Sequence, residues 1–442
     1  CRRSSSSPRP WEQTWLREPA PAPEARNAAG KVVVDLPTVL RLAGTNSLDV
    51  AWVRERVHEA HARLTLAQER FLPHATPTVF YKRHEGETQG TDGNFVDVDK
   101  QQFFGGAGGT LSLSVGEASF STLAAQQRLD GAHAELEAKE RSVTLDASLA
   151  YYDLLRETLK VRVAEQSVEV AEQLAAEFDA AVQAGRGFKG DVLRARIRQS
   201  DSRISRERAL DGARQASIRL ASVLRLPLDI ELVPAELDPA KLDLVPAEGV
   251  EAEWIARAFA ARPELRAAEA EIAASGHEED AATYGPLVPE LSASAVGGSF
   301  GPVFSESDDI LDYGVALGWR IGPGGLFDPG RKDLAASRRS SAEIQLERAR
   351  QRVADEVRSA FAALRSRQQQ VGIAEQEVKD AEEGLALNRE RQGAGMGLPL
   401  EYLEAEVSLA RARQDLYVAL TEHNQAQLRL VIQAGGPLPV GR

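Results

Sequence analysis

The chain has 442 residues, is 43% hydrophobic and 27% charged, and carries a net charge of -13. This is the composition of an ordered protein, and so acidic a chain offers no basic face to a phosphate backbone, which argues against a nucleic-acid partner. A single cysteine, Cys1, excludes a disulfide framework and a cysteine-based zinc site, and no run approaches the roughly 18 apolar residues of a membrane helix. A transmembrane β-barrel stays open, because its strands are short and only alternately apolar.

Residues 1–30 read as a linker, with Ser4 to Ser7 followed by Pro8, Pro10, Pro19, Pro21 and Pro23. Cysteine at position 1 is the arrangement of a processed bacterial lipoprotein, so Cys1 is the expected lipidation site, with an arbitrarily trimmed chain as the alternative.

Residues 31–225 form a first repeat. After an opening helix, 75–84 and 106–115 read as strands, with Leu111, Leu113 and Val115 alternating with Ser112 and Ser114. The polar stretch 84–102 reads as their connection. A proline-free helix follows over 119–183, its apolar stripe running through Leu145, Leu149, Tyr152, Leu155, Leu159, Val163, Val170, Leu174, Phe178 and Val182. At ~1.5 Å per residue such a helix is too long for a compact globule. Gly185-Arg186-Gly187-Phe188-Lys189-Gly190 reads as a reversal, with Asp191 as N-cap of a helix over 191–224.

Residues 226–250, with Pro227, Pro234, Pro239 and Pro246, read as a linker or a small packing patch. Residues 251–435 repeat the plan, offset by roughly 210 residues. Strands are expected over 290–300 and 312–321. In the latter, Tyr313, Val315, Leu317 and Trp319 alternate with Gly314, Ala316, Gly318 and Arg320, as a strand between lipid and water requires. A half-buried soluble strand shows the same alternation, and two soluble coiled coils the same helical periodicity. A long helix over 332–392, a turn at Gly393-Ala394-Gly395-Met396-Gly397, a helix over 399–433 and a tail at 436–442 complete the chain.

Catalytic signatures are missing. His58 and His61 lie three apart without a carboxylate pattern, no serine sits in a G-x-S-x-G elbow, and the glycines at 105–109 lack the Lys-Ser/Thr ending of a phosphate loop. No cofactor and no metal site are expected.

The repeated order resembles the TolC family of outer-membrane efflux proteins over residues 35–435. The resemblance rests on the stretch Leu145-Asp146-Ala147-Ser148-Leu149-Ala150-Tyr151-Tyr152-Asp153-Leu154-Leu155, the helix start Glu401-Tyr402-Leu403-Glu404-Ala405, the proline before each outgoing strand, and the turn Leu326-Phe327-Asp328-Pro329-Gly330. The first repeat has Val115-Gly116-Glu117-Ala118-Ser119 at the equivalent place and departs from that turn.

The resemblance implies a mainly α protein with a small β part. Its antiparallel hairpins would form a trimeric α-barrel, and each protomer would lend four strands to a 12-stranded transmembrane barrel. Open strand edges cannot sit in lipid, which independently calls for other chains. Function would be that of an outer-membrane exit duct of a tripartite efflux pump or type I secretion system, lipid-anchored, with its helices in the periplasm. Its partners would be a periplasmic adaptor and an inner-membrane transporter. The implied periplasmic gate residues are Asp191, Glu401 and Glu404, and the implied adaptor contacts are Gly185, Gly187, Gly393, Gly395 and Leu398. Helix-start acids and turn glycines need no such role. A periplasmic adaptor or coiled-coil scaffold lipoprotein is the alternative function.

Overall fold

The computed structural model describes residues 31–185, 187–227, 229–246, 249–393 and 399–436. In chain order the first repeat contains β1 (Val32–Val34), α1 (Leu36–Asn46), α2 (Leu48–Glu69), β2 (His74–Gln89), β3 (Phe95–Ser114), α3 (Val115–Gln183) and α4 (Lys189–Val223). The second follows β4 (Leu232–Pro234) with α5 (Glu251–Ala261), α6 (Pro263–Thr283), β5 (Glu290–Gly301), β6 (Asp308–Gly318), α7 (Pro329–Gly393) and α8 (Pro399–Gln433). The chain divides into two compact units. A strand unit comprises Glu55–Ala134 and Glu264–Ala349, and a helical unit comprises the remaining described residues.

In the strand unit the order is β2-β3-β5-β6, antiparallel throughout. The first hairpin is longer than its apolar alternation foretells. Pairing runs on past Phe80↔Phe104 to Gln89↔Phe95, so most of the expected connection at 84–102 is strand. Backbone ladders do not require apolar side chains, and here charge pairs take their place: Arg83 lies 3.0 Å from Asp99 on the facing strand. The last strand spans Asp308–Gly318 rather than 312–321. Trp319, Arg320 and Ile321 have left the ladder because the chain folds back at once, Leu326 N donating to Arg320 O at 2.8 Å.

The two passages from strand to helix differ. β3 runs into α3 with no residue between them. Gly116 permits this, since a Cβ there would lie 2.9 Å from Gly285 O. At α7, Asp328 accepts from Gly324 N at 2.8 Å and from Arg331 N at 3.1 Å, so it closes the turn and caps the helix. Those two amide donors hold its carboxyl below the usual aspartate range. Arg331 in turn reaches Glu117 at 2.8 Å and ties the two helix starts together.

The helical unit is built on an apolar core of Ala147, Tyr151, Leu154 and Leu159 from α3 with Leu220 and Leu224 at the end of α4. Parts of segment 226–250 pack on the helices. β4 pairs in parallel with β1, Val32↔Leu232 to Val34↔Pro234, and Leu232 N donates to the buried Ser217 Oγ at 2.7 Å. Farther on, α8 holds the segment through buried polar side chains. Asn424 Oδ1 accepts from Leu242 N at 2.8 Å, Asn424 Nδ2 donates to Ala240 O at 2.9 Å, and Gln427 Oε1 accepts from Leu244 N at 3.2 Å. These bonds satisfy backbone groups that lie outside any sheet.

Next to them His423 is 1% exposed, with Nε2 3.2 Å from Leu242 O. Burial disfavours the imidazolium and holds its pKa below 6.5, outweighing the carbonyl that favours it. The unfolded chain therefore takes up this proton first as pH falls. The resulting stability is full above 6.5 and is lost as pH drops from there through the folded value. The thermal midpoint of the wild type should fall between pH 7.5 and pH 5.5, and His423→Leu should flatten that dependence.

Candidate functional site

Two places carry chemistry that ordinary packing does not explain: the faces of the sheet in the strand unit, and the helix reversals in the helical unit.

The ladders run without a bulge, so residues opposite one another share a face across all four strands. One face carries Val79, Tyr81, Leu111, Leu113, Leu291, Leu311, Tyr313, Val315 and Leu317. Its Val79, Tyr313 and Val315 are 76%, 82% and 75% exposed. The other carries His74, Thr76, Thr78, Thr110, Ser112, Ser292, Ser294 and Asp312. Just outside β6, Trp319 Nε1 donates to Leu287 O at 3.1 Å, which fixes an amphipathic ring at the rim of the apolar face. β2 and β6 are the free edges of this sheet. A sheet that is apolar outside, polar inside and open at both edges is unstable alone in water or in lipid.

In the helical unit, α3 ends at Gln183 and Gly185 adopts φ 71°, the left-handed conformation that terminates helices. A Cβ on Gly187 would stand 2.9 Å from Val182 N, so the reversal needs glycine there as well. Asp191 is not the N-cap. That position is Phe188, extended and without a side-chain cap bond, because α4 starts earlier, at Lys189. Asp191 sits in the first turn, where a carboxylate still meets the helix dipole, and lies 3.4 Å from Arg194 Nη1.

Glu401 occupies the first turn of α8, its Oε2 buried and 3.4 Å from Arg391 Nη1 near the end of α7. Glu404 is exposed. Gly393 is the last residue of α7, while Gly395 and Leu398 lie outside the described residues, as does Cys1. One apolar cluster gathers Leu174 and Phe178 of α3, Val192 and Ala195 of α4, and Leu403 of α8. It brings the first turn of α4 level with the first turn of α8, and so brings Asp191 and Glu401 to the same end of the unit. Arg203–Glu172 at 2.7 Å ties α4 to α3, and Arg413–Glu382 at 3.0 Å ties α8 to α7.

Sequence reasoning missed the arginine partners Arg194 and Arg391, although i,i+3 spacing marks the first of them. It also missed the Tyr402 hydroxyl, which donates to Glu406 at 2.9 Å. Burial, with the Glu406 bond adding to it, pushes that phenol up to about 12. No group of three or more metal-ligating side chains is found among the described residues, and no described helix is long and apolar enough to cross a membrane.

The profile of a family described as outer membrane efflux protein matches residues 39–224 and 254–436, one match for each repeat. Among curated proteins none has a sequence that matches the chain. Several solved structures share the fold. The CmeC outer membrane channel of Campylobacter jejuni superposes with a TM-score of 0.79 at 16% identity, over 91% of this chain and 85% of that one. A membrane protein from Pseudomonas aeruginosa gives 0.78 at 21% identity, over 94% and 99% of the two chains. The open state of the Neisseria gonorrhoeae MtrE outer membrane channel gives 0.74 at 19% identity, over 91% and 89%.

Proposed function

The chain belongs to the outer membrane efflux protein family, and on that premise we propose that it is the outer-membrane exit duct of a tripartite efflux pump, a passive conduit gated at its periplasmic end. The observation that carries this reading is the four-stranded sheet, apolar on one face, polar on the other and open at β2 and β6. Three copies joined edge to edge would close it into a barrel, with lipid against Tyr313 and Val315 and water against Thr110 and Ser294. Closure removes the unpaired edges that a single chain would expose to lipid. The family's members are channels, and no catalytic step is assigned to this chain.

The reversals of the helical unit form the periplasmic entrance in this reading. Asp191, Glu401 and Glu404 would each be repeated threefold into a ring of carboxylates that favours cations. Arg194 and Arg391 beside two of them support a weighting. Glu404 contributes most of the uncompensated charge, while Glu401 and Asp191 are partly offset within their own chain. Gly185, Gly187, Gly393, Gly395 and Leu398, at or beside the reversals, would meet the hairpin of a periplasmic adaptor, and a lipid on Cys1 would add a second hold on the membrane.

Heat-modifiable migration together with fractionation tests this directly. The protein should partition with the outer membrane and run as a compact oligomer until boiled. A protein released in the periplasmic fraction, with one mobility before and after boiling, would instead be an adaptor or scaffold.

A further inference from the structure

The face opposite Tyr313 and Val315 is mostly polar or glycine, with single valines and isoleucine, and it carries one row of aromatic rings. Phe80 of β2 faces Phe104 of β3, Phe104 faces Phe300 of β5, and Phe300 faces Asp308 of β6. This row spans all four strands on the face opposite Tyr313, Val315 and Leu317, because residue 308 and residue 313 of β6 differ by an odd number of steps. The rings of Phe80 and Phe104 are stacked, with centroids 5.7 Å apart at 29°. Phe104 is only 7% exposed, whereas Phe80 and Phe300 keep 42% and 41% of their surface open.

The neighbouring row explains why Phe104 is covered. It consists of Thr78, Gly106, Gly298 and Ile310, and a Cβ on Gly106 would stand 2.8 Å from Phe104 Cζ and 2.3 Å from Gly297 O. The missing side chain leaves room for the tip of the Phe104 ring, and Phe80 stacks against that ring. On the opposite side of the row the face returns to polar residues, with Lys82 facing Gln102. An aromatic row thus lies between the row of Thr78, Gly106, Gly298 and Ile310 and the row that begins with Lys82 and Gln102, and a carboxylate closes one end of it.

Lipid contact does not account for these rings, since the lipid-facing positions are those of the other face. We propose that Phe80, Phe104 and Phe300 with Asp308 form a contact site on the water-facing wall of the barrel for cargo that combines aromatic rings with a positive charge. Aromatic faces attract cations and stack on flat rings, and Asp308 supplies the counter-charge beside them. The proposal rests on the exit-duct reading, which makes this face the wall of the conduit. Threefold repetition would then set the row as a band around it.

Block of single channels in planar bilayers provides the test, with tetraphenylphosphonium as the aromatic cation and tetrabutylammonium as an aliphatic cation of equal charge. Phe80→Ala/Phe300→Ala is the informative variant, since both rings are partly open whereas Phe104 is buried against the fold. Tetraphenylphosphonium block should weaken about tenfold in this variant and tetrabutylammonium block by distinctly less, since the aliphatic cation loses a cation–π contact but no ring stacking. Asp308→Asn should weaken block by both. If the alanine pair fails to insert, Phe80→Leu/Phe300→Leu is read the same way. Undiminished tetraphenylphosphonium block, or an equal loss for both cations, overturns the aromatic site and leaves the duct standing. Failure of the wild-type protein to form channels at all overturns the duct, and this proposal with it.

Discussion

Val315→Arg should abolish the heat-modifiable oligomer, whereas Ser294→Lys on the opposite face should leave assembly intact and alter only conduction. Val315 lies within β6, 75% exposed, facing Ala293 of β5, which in turn faces Leu111 of β3. No described residue covers it, so in a soluble fold a charge there would cost little. In a barrel the same position meets hydrocarbon, where arginine near the midplane costs ~2–4 kcal/mol and falls toward zero at the interfaces. Three protomers incur that cost together, enough to reduce assembly by several orders of magnitude. Ser294 sits between Thr110 and Gly314 on the polar face, where a lysine side chain would extend into water. A sheet with both faces in water would tolerate both variants, so the contrast between them separates an apolar face set in lipid from a solvated one.

The second large effect concerns the helical reversals. Glu404→Gln should lower the cation-to-anion permeability ratio more than Glu401→Gln. A unit charge at contact distance in water is worth ~1 kcal/mol, or about fivefold in ion partition, and a threefold ring concentrates that effect at the axis. Glu401 already shares its field with Arg391 at 3.4 Å, so its removal changes the net charge in a site that is partly balanced. Arg391→Gln should therefore raise cation preference, opposite in sign to both glutamate variants. Reversal potentials that do not move in any of the three would show that these groups are ordinary helix-start charges.

Much of this architecture is legible along the chain because its signals are one-dimensional. Tyr313, Val315 and Leu317 alternate within one strand, and the stripe through Leu159, Val163, Leu174 and Phe178 repeats within one helix. The reversal at Gly185 and the cap at Asp328 carry their chemistry in adjacent residues. What stayed hidden depends on pairing between distant segments. β1 and β4 are three residues each, too short for any period, and they exist because Val32 and Val34 meet Leu232 and Pro234. The hold of Asn424 and Gln427 on 240–244 joins groups more than 180 residues apart. The aromatic row belongs to the same class. Phe80, Phe104 and Phe300 are unremarkable within their own strands, and only the register of three ladders aligns them.

One expectation failed for a local reason, and one departure between the repeats has a local cause. Asp191 reads as an N-cap because a short acid follows a glycine turn, yet α4 starts at Lys189 and places it within the first turn. The first repeat carries no turn between strand and helix, because Gly116 lets the backbone pass Gly285 closely enough to continue without one.

The closed barrel is the claim on which the duct, its entrance and its aromatic wall all depend, and mass measurement joined to conductance on one detergent-purified preparation tests it most directly. The account predicts a trimer that opens discrete, cation-preferring conductance steps in a planar bilayer. A monodisperse monomer that leaves the bilayer silent would contradict it.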